Sequence, residues 1–237
     1  ENITLLNQTG EHLKAKQLLD NHIFHPWEGG EGKVPAQYQY SRVELAKIAL
    51  QTSRYDDAIK LLEECLDYPQ HLGEGKLINA QENDFYYFMG CAYEAKGNYL
   101  KAQECWEKAI NGPVEPAAAM YYNDAKPDKI FYAGLALLKL GRVDEAHGRF
   151  YKLITYGENH LFDHVRMDYF AVSLPDLLIW DDSLDRQNII HCKYMMALGH
   201  YGLGNINKAI QLINEVAEMD NNHQGISAFM TYIKEEL

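Results

Sequence analysis

A short segment recurs along this 237-residue chain, and its spacing limits the fold more than any other feature. Gly97-Asn98-Tyr99-Leu100-Lys101-Ala102 returns as Gly141-Arg142-Val143-Asp144-Glu145-Ala146 and as Gly204-Asn205-Ile206-Asn207-Lys208-Ala209. Gly10-Glu11-His12-Leu13-Lys14-Ala15 is an earlier copy, and Ser53-Arg54-Tyr55-Asp56-Asp57-Ala58 is a weaker one. In each strong copy a glycine ends one helix, where a left-handed residue costs it little. The alanine lies in the next helix, where a small side chain lets two helices approach closely. Apolar residues flank each copy at helical spacing. The expectation is an all-α chain of stacked helix pairs with no sheet.

The flanks make the pattern more specific. Tyr86, Met89, Gly90 and Tyr93 precede Gly97, and Trp106 and Ala109 follow Ala102. The next copy has Ile130, Ala133, Gly134, Leu137, Ala146, Phe150 and Leu153; the last has Met196, Ala197, Ala209, Ile213 and Val216. This resembles the tetratricopeptide repeat, W-x-x-L-G-x-x-Y followed by A-x-x-x-F. The resemblance implies a right-handed α-solenoid of about five helix pairs with long inserted loops. A single domain is expected over 1–237, with repeats centred near 1–24, 39–68, 83–112, 127–156 and 190–220. The amphipathic stretch 226–237 is expected to cap the last pair, since terminal repeats need a polar outer face.

The period is long. Ala15 to Ala58 is 43 residues, and the next two steps are 44 each, against about 34 for the usual repeat. The step from Ala146 to Ala209 is 63. Extra residues in a solenoid go into loops on one face, often the binding face. Gly-Glu-Gly-Lys occurs at 30–33 and again at 73–76, one period apart, so both copies are expected on one edge. Helix packing puts them about 8–10 Å apart or slightly more. A phosphate-binding P-loop is not expected, because Val34 and Leu77 stand where it needs Ser or Thr. The ridge so predicted gathers His25, Trp27, Glu28, Glu31, Lys33, Glu74, Lys76, Tyr122, Asn123 and Asp124 as residues contacting a ligand or another domain. The first helix of each pair should line a concave groove with Tyr40, Lys47, Gln51, Asp84, Tyr87, Glu94, Asp128, Phe131, Tyr194 and Tyr201.

Charge narrows the partners. The chain carries 22 Lys and Arg against 34 Asp and Glu, a formal net charge of −12. Nucleic acid and anionic membrane surfaces are gripped by basic residues, so neither is an expected partner. No apolar run approaches the roughly 20 residues that cross a bilayer. Cys65, Cys91, Cys105 and Cys192 form no C-x-x-C pair and read as buried, reduced thiols, which suits a cytoplasmic setting. His160 and His164 lie four apart but lack the glutamate of a zinc-protease helix, so they read as surface histidines, and no metal or cofactor is expected. The amino terminus, Glu1-Asn2-Ile3-Thr4, carries no secretory leader and begins in apparent mid-helix, as a piece of a longer protein would.

The loops carry a second resemblance. His22-Ile-Phe-His-Pro-Trp-Glu-Gly-Gly-Glu-Gly-Lys33, Leu72-Gly-Glu-Gly-Lys-Leu77, Met120-Tyr-Tyr-Asn-Asp124 and Asp168-Tyr-Phe-Ala-Val-Ser-Leu-Pro-Asp-Leu178 are not general repeat features. Together they resemble the C-terminal repeat region of large bacterial proteins with a β-rich, galactose-mutarotase-like N-terminal region. That resemblance implies a place in carbohydrate handling and supplies no catalytic residue. The expected role is a docking module that contacts its own N-terminal domain or a protein partner. The alternatives are part of a glycoside-processing enzyme whose loops complete a sugar site, and a peptide-binding adaptor.

Overall fold

The computed structural model describes residues 1–27, 29–118, 124–165 and 184–235, with side chains as far as Met230. Among the described residues there are eleven α-helices and no strand. Ten form five antiparallel pairs: α1 (Asn2–Gln8) with α2 (His12–Asp20), α3 (Lys33–Gln51) with α4 (Tyr55–Glu64), and α5 (Asn83–Ala95) with α6 (Tyr99–Ala109). The series continues with α7 (Pro127–Lys139) and α8 (Val143–His160), then α9 (Leu184–Gly202) and α10 (Ile206–Met219). The last helix is α11 (Gln224–Glu235). No helix among the described residues is long and apolar enough to cross a membrane.

One local rule makes every pair. Gly10, Gly97, Gly141 and Gly204 have φ between 74° and 80°, and Ser53, in the weaker copy, also goes left-handed at 56°. After each of these residues the chain closes with the same backbone bond. Glu11, Arg54, Asn98, Arg142 and Asn205 donate to carbonyls five residues back, at 2.8–2.9 Å. That is the Schellman closure of a helix C-terminus. It reverses the chain, and the repeat's alanine then arrives at the contact. Ala15, Ala58, Ala102, Ala146 and Ala209 are all fully buried.

Aromatic rings fill notches left by glycine. A Cβ on Gly90 would fall within the Trp106 indole, and one on Gly134 would fall within the Phe150 ring. Gly199 packs on the Phe150 carbonyl, so α9 approaches α8 closely. The main core runs from Val43 in α3 to Phe229 in α11. A separate small cluster, Leu19, Val34, Tyr38 and Leu72, joins the first pair to the second.

The C-terminal helix does more than cap. It turns into the inner face of the array. Phe229 is 2% exposed and stands 5.1 Å from the Tyr201 ring and 5.7 Å from the Phe131 ring. Gln37 of α3 donates to Gln224, and Gln8 of α1 donates to the carbonyl of Asn222, so the entry of α11 is tied to α1 and α3. The sequence pattern predicts a helix that caps the last pair, and α11 also reaches the inner face. The difference has a physical cause: Ile226 and Phe229 need apolar cover, and Phe131, Tyr194 and Tyr201 supply it on the inner face.

Candidate functional site

The inter-repeat loops run along one edge and hold each other. Phe24 N–H donates to His71 O at 2.7 Å, joining the loop before α3 to the loop before α5. Gly73 sits under that bond, where a Cβ would stand 2.7 Å from Phe24 O. Gly32 N–H donates to the Glu74 carboxylate at 2.7 Å, so the two Gly-Glu-Gly-Lys segments touch. They are therefore closer than helix spacing alone predicts, because loops can lean together where helix axes cannot. Gln81 then spans to the following loop, donating to Asp124 O at 2.8 Å and accepting from Lys126 N–H at 2.9 Å.

The predicted ridge residues take different roles on this edge. Glu74 caps the start of α3; burial raises its pKa, the Gly32 N–H opposes that, and Glu31 adds to it. Lys76 is spent on Glu82 and on the Leu66 carbonyl. Glu31 and Lys33 are half-buried beside them, His25 is exposed, and Asp124 joins the edge through its backbone. Trp27 is 50% exposed, with its ring lying over Gly30. Glu28, Tyr122 and Asn123 lie outside the described residues. The same loops display Leu77, 40% exposed, and a fully exposed Ile78.

Beneath this edge is a cavity of about 430 Å³. It is lined by Gly32, Glu74, Gly75, Asn79 and Gln81 from the loops and by Gln224, Gly225 and Ala228 of α11. Tyr40, Glu44 and Lys47 line it from α3, and Asp128, Lys129 and Phe131 from α7. Two buried ion pairs frame it. Lys47 Nζ lies 2.6 Å from Glu44 and 5.4 Å from the Phe88 ring centre. Lys129 contacts Asp84 and lies 4.5 Å from the Phe85 ring centre. Burial opposes the Lys129 charge, but the carboxylates of Asp84 and Asp128 outweigh it and raise its pKa. Burial lowers the pKa of His191 and His223, so both imidazoles are neutral at pH 7. Tyr40 and Tyr194 direct their hydroxyls at backbone carbonyls of α11. Glu44 and Asp84 are each held by a lysine, and burial raises the Asp84 pKa while Lys129 opposes that.

The expected concave groove is largely filled. Tyr87, Phe131 and Tyr194 are buried core residues, and Tyr201 packs edge-on against Phe229. Lys47 and Asp84 are buried in their ion pairs, and Glu94 is tied to Lys139 at 2.6 Å. Tyr40 and Asp128 alone of the set line the cavity half-buried. Gln51 is exposed at the end of α3. Tyr40, Lys47, Phe131, Tyr194 and Tyr201 meet α11, whereas Tyr87 packs on Phe88 and Tyr132, and Asp84 and Glu94 are paired with lysines of α7.

Sequence reasoning passed over Arg42, which is 2% exposed, lies 3.4 Å above the centre of the Tyr38 ring, and bridges Asp20 to Glu64. It also passed over Lys129 and Phe229. A readable signal existed for the lysines: Asp84 to Lys129 and Glu94 to Lys139 share an offset of 45 residues, close to the repeat period. His160 and His164 do not share a helical face, since α8 ends at His160. They pair with Asp163 and Asp185. Among the described residues no group of three His, Cys, Asp or Glu side chains could hold a metal ion. Burial raises the Cys91 and Cys192 thiols to about 11, which keeps them protonated.

The tetratricopeptide repeat family model matches residues 84–111, which are α5, α6 and the turn between them. A solved structure of a kinesin light chain protein of Podosopora anserina, with nearly identical TPR-like repeats, is 15% identical over 94% of this chain and 93% of that chain, with a TM-score of 0.39. The chain thus holds a tetratricopeptide repeat at the centre of an all-helical array, and arrays of such repeats serve as protein-interaction scaffolds.

Proposed function

We propose that this protein is a docking scaffold that binds another protein surface along its loop edge. The observation that carries this reading is the display of Trp27, Leu77 and Ile78 on two loops that are otherwise braced bond by bond. Neighbouring exposed apolar side chains such as Leu77 and Ile78, carried on braced loops, are the kind of surface that meets a partner. Rigid loops lose little entropy on binding, which favours affinity. The partner surface is another part of a longer polypeptide, such as the N-terminal domain implied by the loop resemblance, or a separate protein. The ridge residues His25, Glu31 and Lys33 supply a polar rim to that contact, and Glu74 and Lys76 hold its shape.

A second reading has its own support. Tyr40, Tyr132 and Tyr194 around a cavity with Gln39, Gln81 and Asp128 offer the flat faces and hydroxyl acceptors that a carbohydrate uses. The reading is one of binding, because Glu44 and Asp84 are each paired with a lysine.

Site-specific photo-crosslinking tests the first reading. A benzophenone side chain at position 78 or 27 is expected to give a discrete protein adduct in cells that express the whole protein. The same group at Tyr99, 70% exposed on the outer helix α6, should give none. Equal labelling from all three positions would remove the loop edge as the docking face. A glycan array probed with the purified chain tests the second reading, and binding abolished by Asp128→Asn is the supporting result.

A further inference from the structure

Most polar groups on the wall of the cavity beneath the loop edge are already engaged. Gln39 donates to the Tyr68 hydroxyl at 3.0 Å, and the Tyr40 and Tyr194 hydroxyls donate to carbonyls of α11. His191 Nε2 lies 2.8 Å from Ala117 O; a carbonyl only accepts, so this nitrogen carries the ring proton and spends it there. Glu44 holds Lys47, Asp84 holds Lys129, and Glu74 accepts from Gly32 N–H. Two charged groups of the lining remain, Lys126 and Asp128. Among the described residues neither side chain makes a hydrogen bond or an ion pair.

Helix stability accounts for one of the two. Asp128 lies in the first turn of α7, where the helix dipole favours a carboxylate. Lys126 is the N-cap of the same helix, makes no side-chain cap, and sets its charge against the positive end of that dipole. Lys126 is exposed as a residue, yet the protein around its ammonium lowers its pKa by burial; Lys129 adds to that, and the carboxylates of Asp128 and Asp84 oppose it. Opposite charges two residues apart that do not touch leave room for a group between them. A neutral sugar would leave both unmatched, whereas a molecule with an ammonium and a carboxylate matches both. The cavity, about 430 Å³, is near the small end of ligand pockets, which run from about 300 to 1,000 Å³, so one small molecule suits it better than a peptide. Ala36, Val43 and Ala80 add apolar surface to the same lining.

We propose that this cavity binds a free amino acid with an apolar side chain, its ammonium on the Asp128 carboxylate, its carboxylate on the Lys126 ammonium, and its side chain against Ala36, Val43 and Ala80. Both polar contacts are charge-assisted, so removing a charge from the ligand leaves its protein partner unmatched in a partly dry site. The helix α11 stays in place as one wall. The site stands without the loop-edge docking face, and its ligand is of a different class from the carbohydrate of the second reading.

Isothermal titration calorimetry on the whole chain tests the proposal, with leucine, valine and phenylalanine as probes. At least one should bind, and its amide and its N-acetyl derivative, which keep one charge or the other at most, should each bind at least tenfold more weakly. Lys126→Gln should weaken the free amino acid at least tenfold and erase its preference over the amide. Asp128→Asn should weaken it similarly and erase its preference over the N-acetyl derivative. Damaged packing would weaken all three ligands together and leave both preferences intact, so the crossed pattern is the readout. Should either variant lose its helical circular dichroism, the ligand series on the wild type decides. Binding by none of the three amino acids at millimolar concentration would overturn the proposal. So would an amide or N-acetyl derivative that binds as tightly as its parent, or folded variants with wild-type affinity and preferences. Glycan binding abolished by Asp128→Asn, with no amino acid bound, would overturn it and leave the carbohydrate reading standing.

Discussion

The middle of the array and its first joint use the same helix pair but close it with different chemistry. Between α5 and α8 the contact is mainly apolar: Trp106 over Gly90 and Phe150 over Gly134, with Glu94 and Lys139 at the rim, each more than a third exposed, and a single buried ion pair, Asp84 with Lys129, beside the cavity. Between α2 and the second pair the apolar cluster has four buried members, and Arg42 does much of the joining. Its guanidinium lies on Tyr38 and bridges Asp20 and Glu64, with Lys16 3.5 Å from Glu64. Rings in glycine notches demand shape alone. A buried guanidinium demands two carboxylates in fixed places and stays sensitive to their ionisation. The repeat pattern thus specifies a turn and a small contact residue, and leaves open what fills the space between pairs.

The sharpest way to break this comparison is to remove Arg42. Arg42→Ala should destabilise the first joint by about 2–4 kcal/mol, short of the value for a fully buried pair because both carboxylates keep some exposure to water. Hydrogen exchange should show α1 and α2 opening while α5 to α8 stay protected. Protection lost equally everywhere would mean that the two regions are not separate. In the middle, Ala102→Leu should overpack the α5–α6 contact and cost about 1–3 kcal/mol in urea unfolding. An unchanged midpoint would mean that the apolar joint is looser than its fully buried alanine implies.

A gain is expected at the turn that breaks the glycine rule. Ser53 carries the left-handed strain alone among the five turns, and Ser53→Gly should stabilise by about 1 kcal/mol, read as a higher melting temperature. A lower one would mean the Ser53 side chain contributes more than its strain. The smallest effect concerns pH. Burial alone would raise the Asp20 pKa, but the hydrogen bonds from Lys16 and Arg42 and their charges outweigh it and lower it. A carboxylate with a depressed folded pKa contributes stability above its unfolded value near 4, lost as pH falls through the folded value. With Asp20 a third exposed, that contribution should be below about 1 kcal/mol. The wild type should therefore lose slightly more stability than Asp20→Asn between pH 5 and pH 3. Parallel curves would remove Asp20 from the ionic joint.

The five turns and five contact alanines were legible in the sequence because they are local. A left-handed residue followed by a small one at fixed distance needs no knowledge of the rest of the fold. The inner face was harder to read. Phe131 and Tyr194 sit at groove positions of their repeats, and nothing within those repeats says that α11 will cover them. Lys47 and Asp84 read as groove charges for the same reason, although the shared 45-residue offset of Asp84–Lys129 and Glu94–Lys139 was present as a clue. The twin tetrads were placed on one edge by their period. What the period could not supply was the bond from Gly32 to Glu74, which turns an apparent recognition residue into a helix cap.

The tie of α11 to α3 and α9 also bears on how such a chain can grow. An open array lengthens by copying one unit, and each added unit finds the same neighbour as the last. Here α11 spans roughly 18 Å at 1.5 Å per residue, and its entry must meet both Gln37 near the start and Tyr194 near the finish. Duplicating an internal pair would carry those two residues apart beyond its reach. The helix therefore acts as a ruler for the stretch from α3 to α9, where the number of pairs is expected to stay fixed while the loops vary.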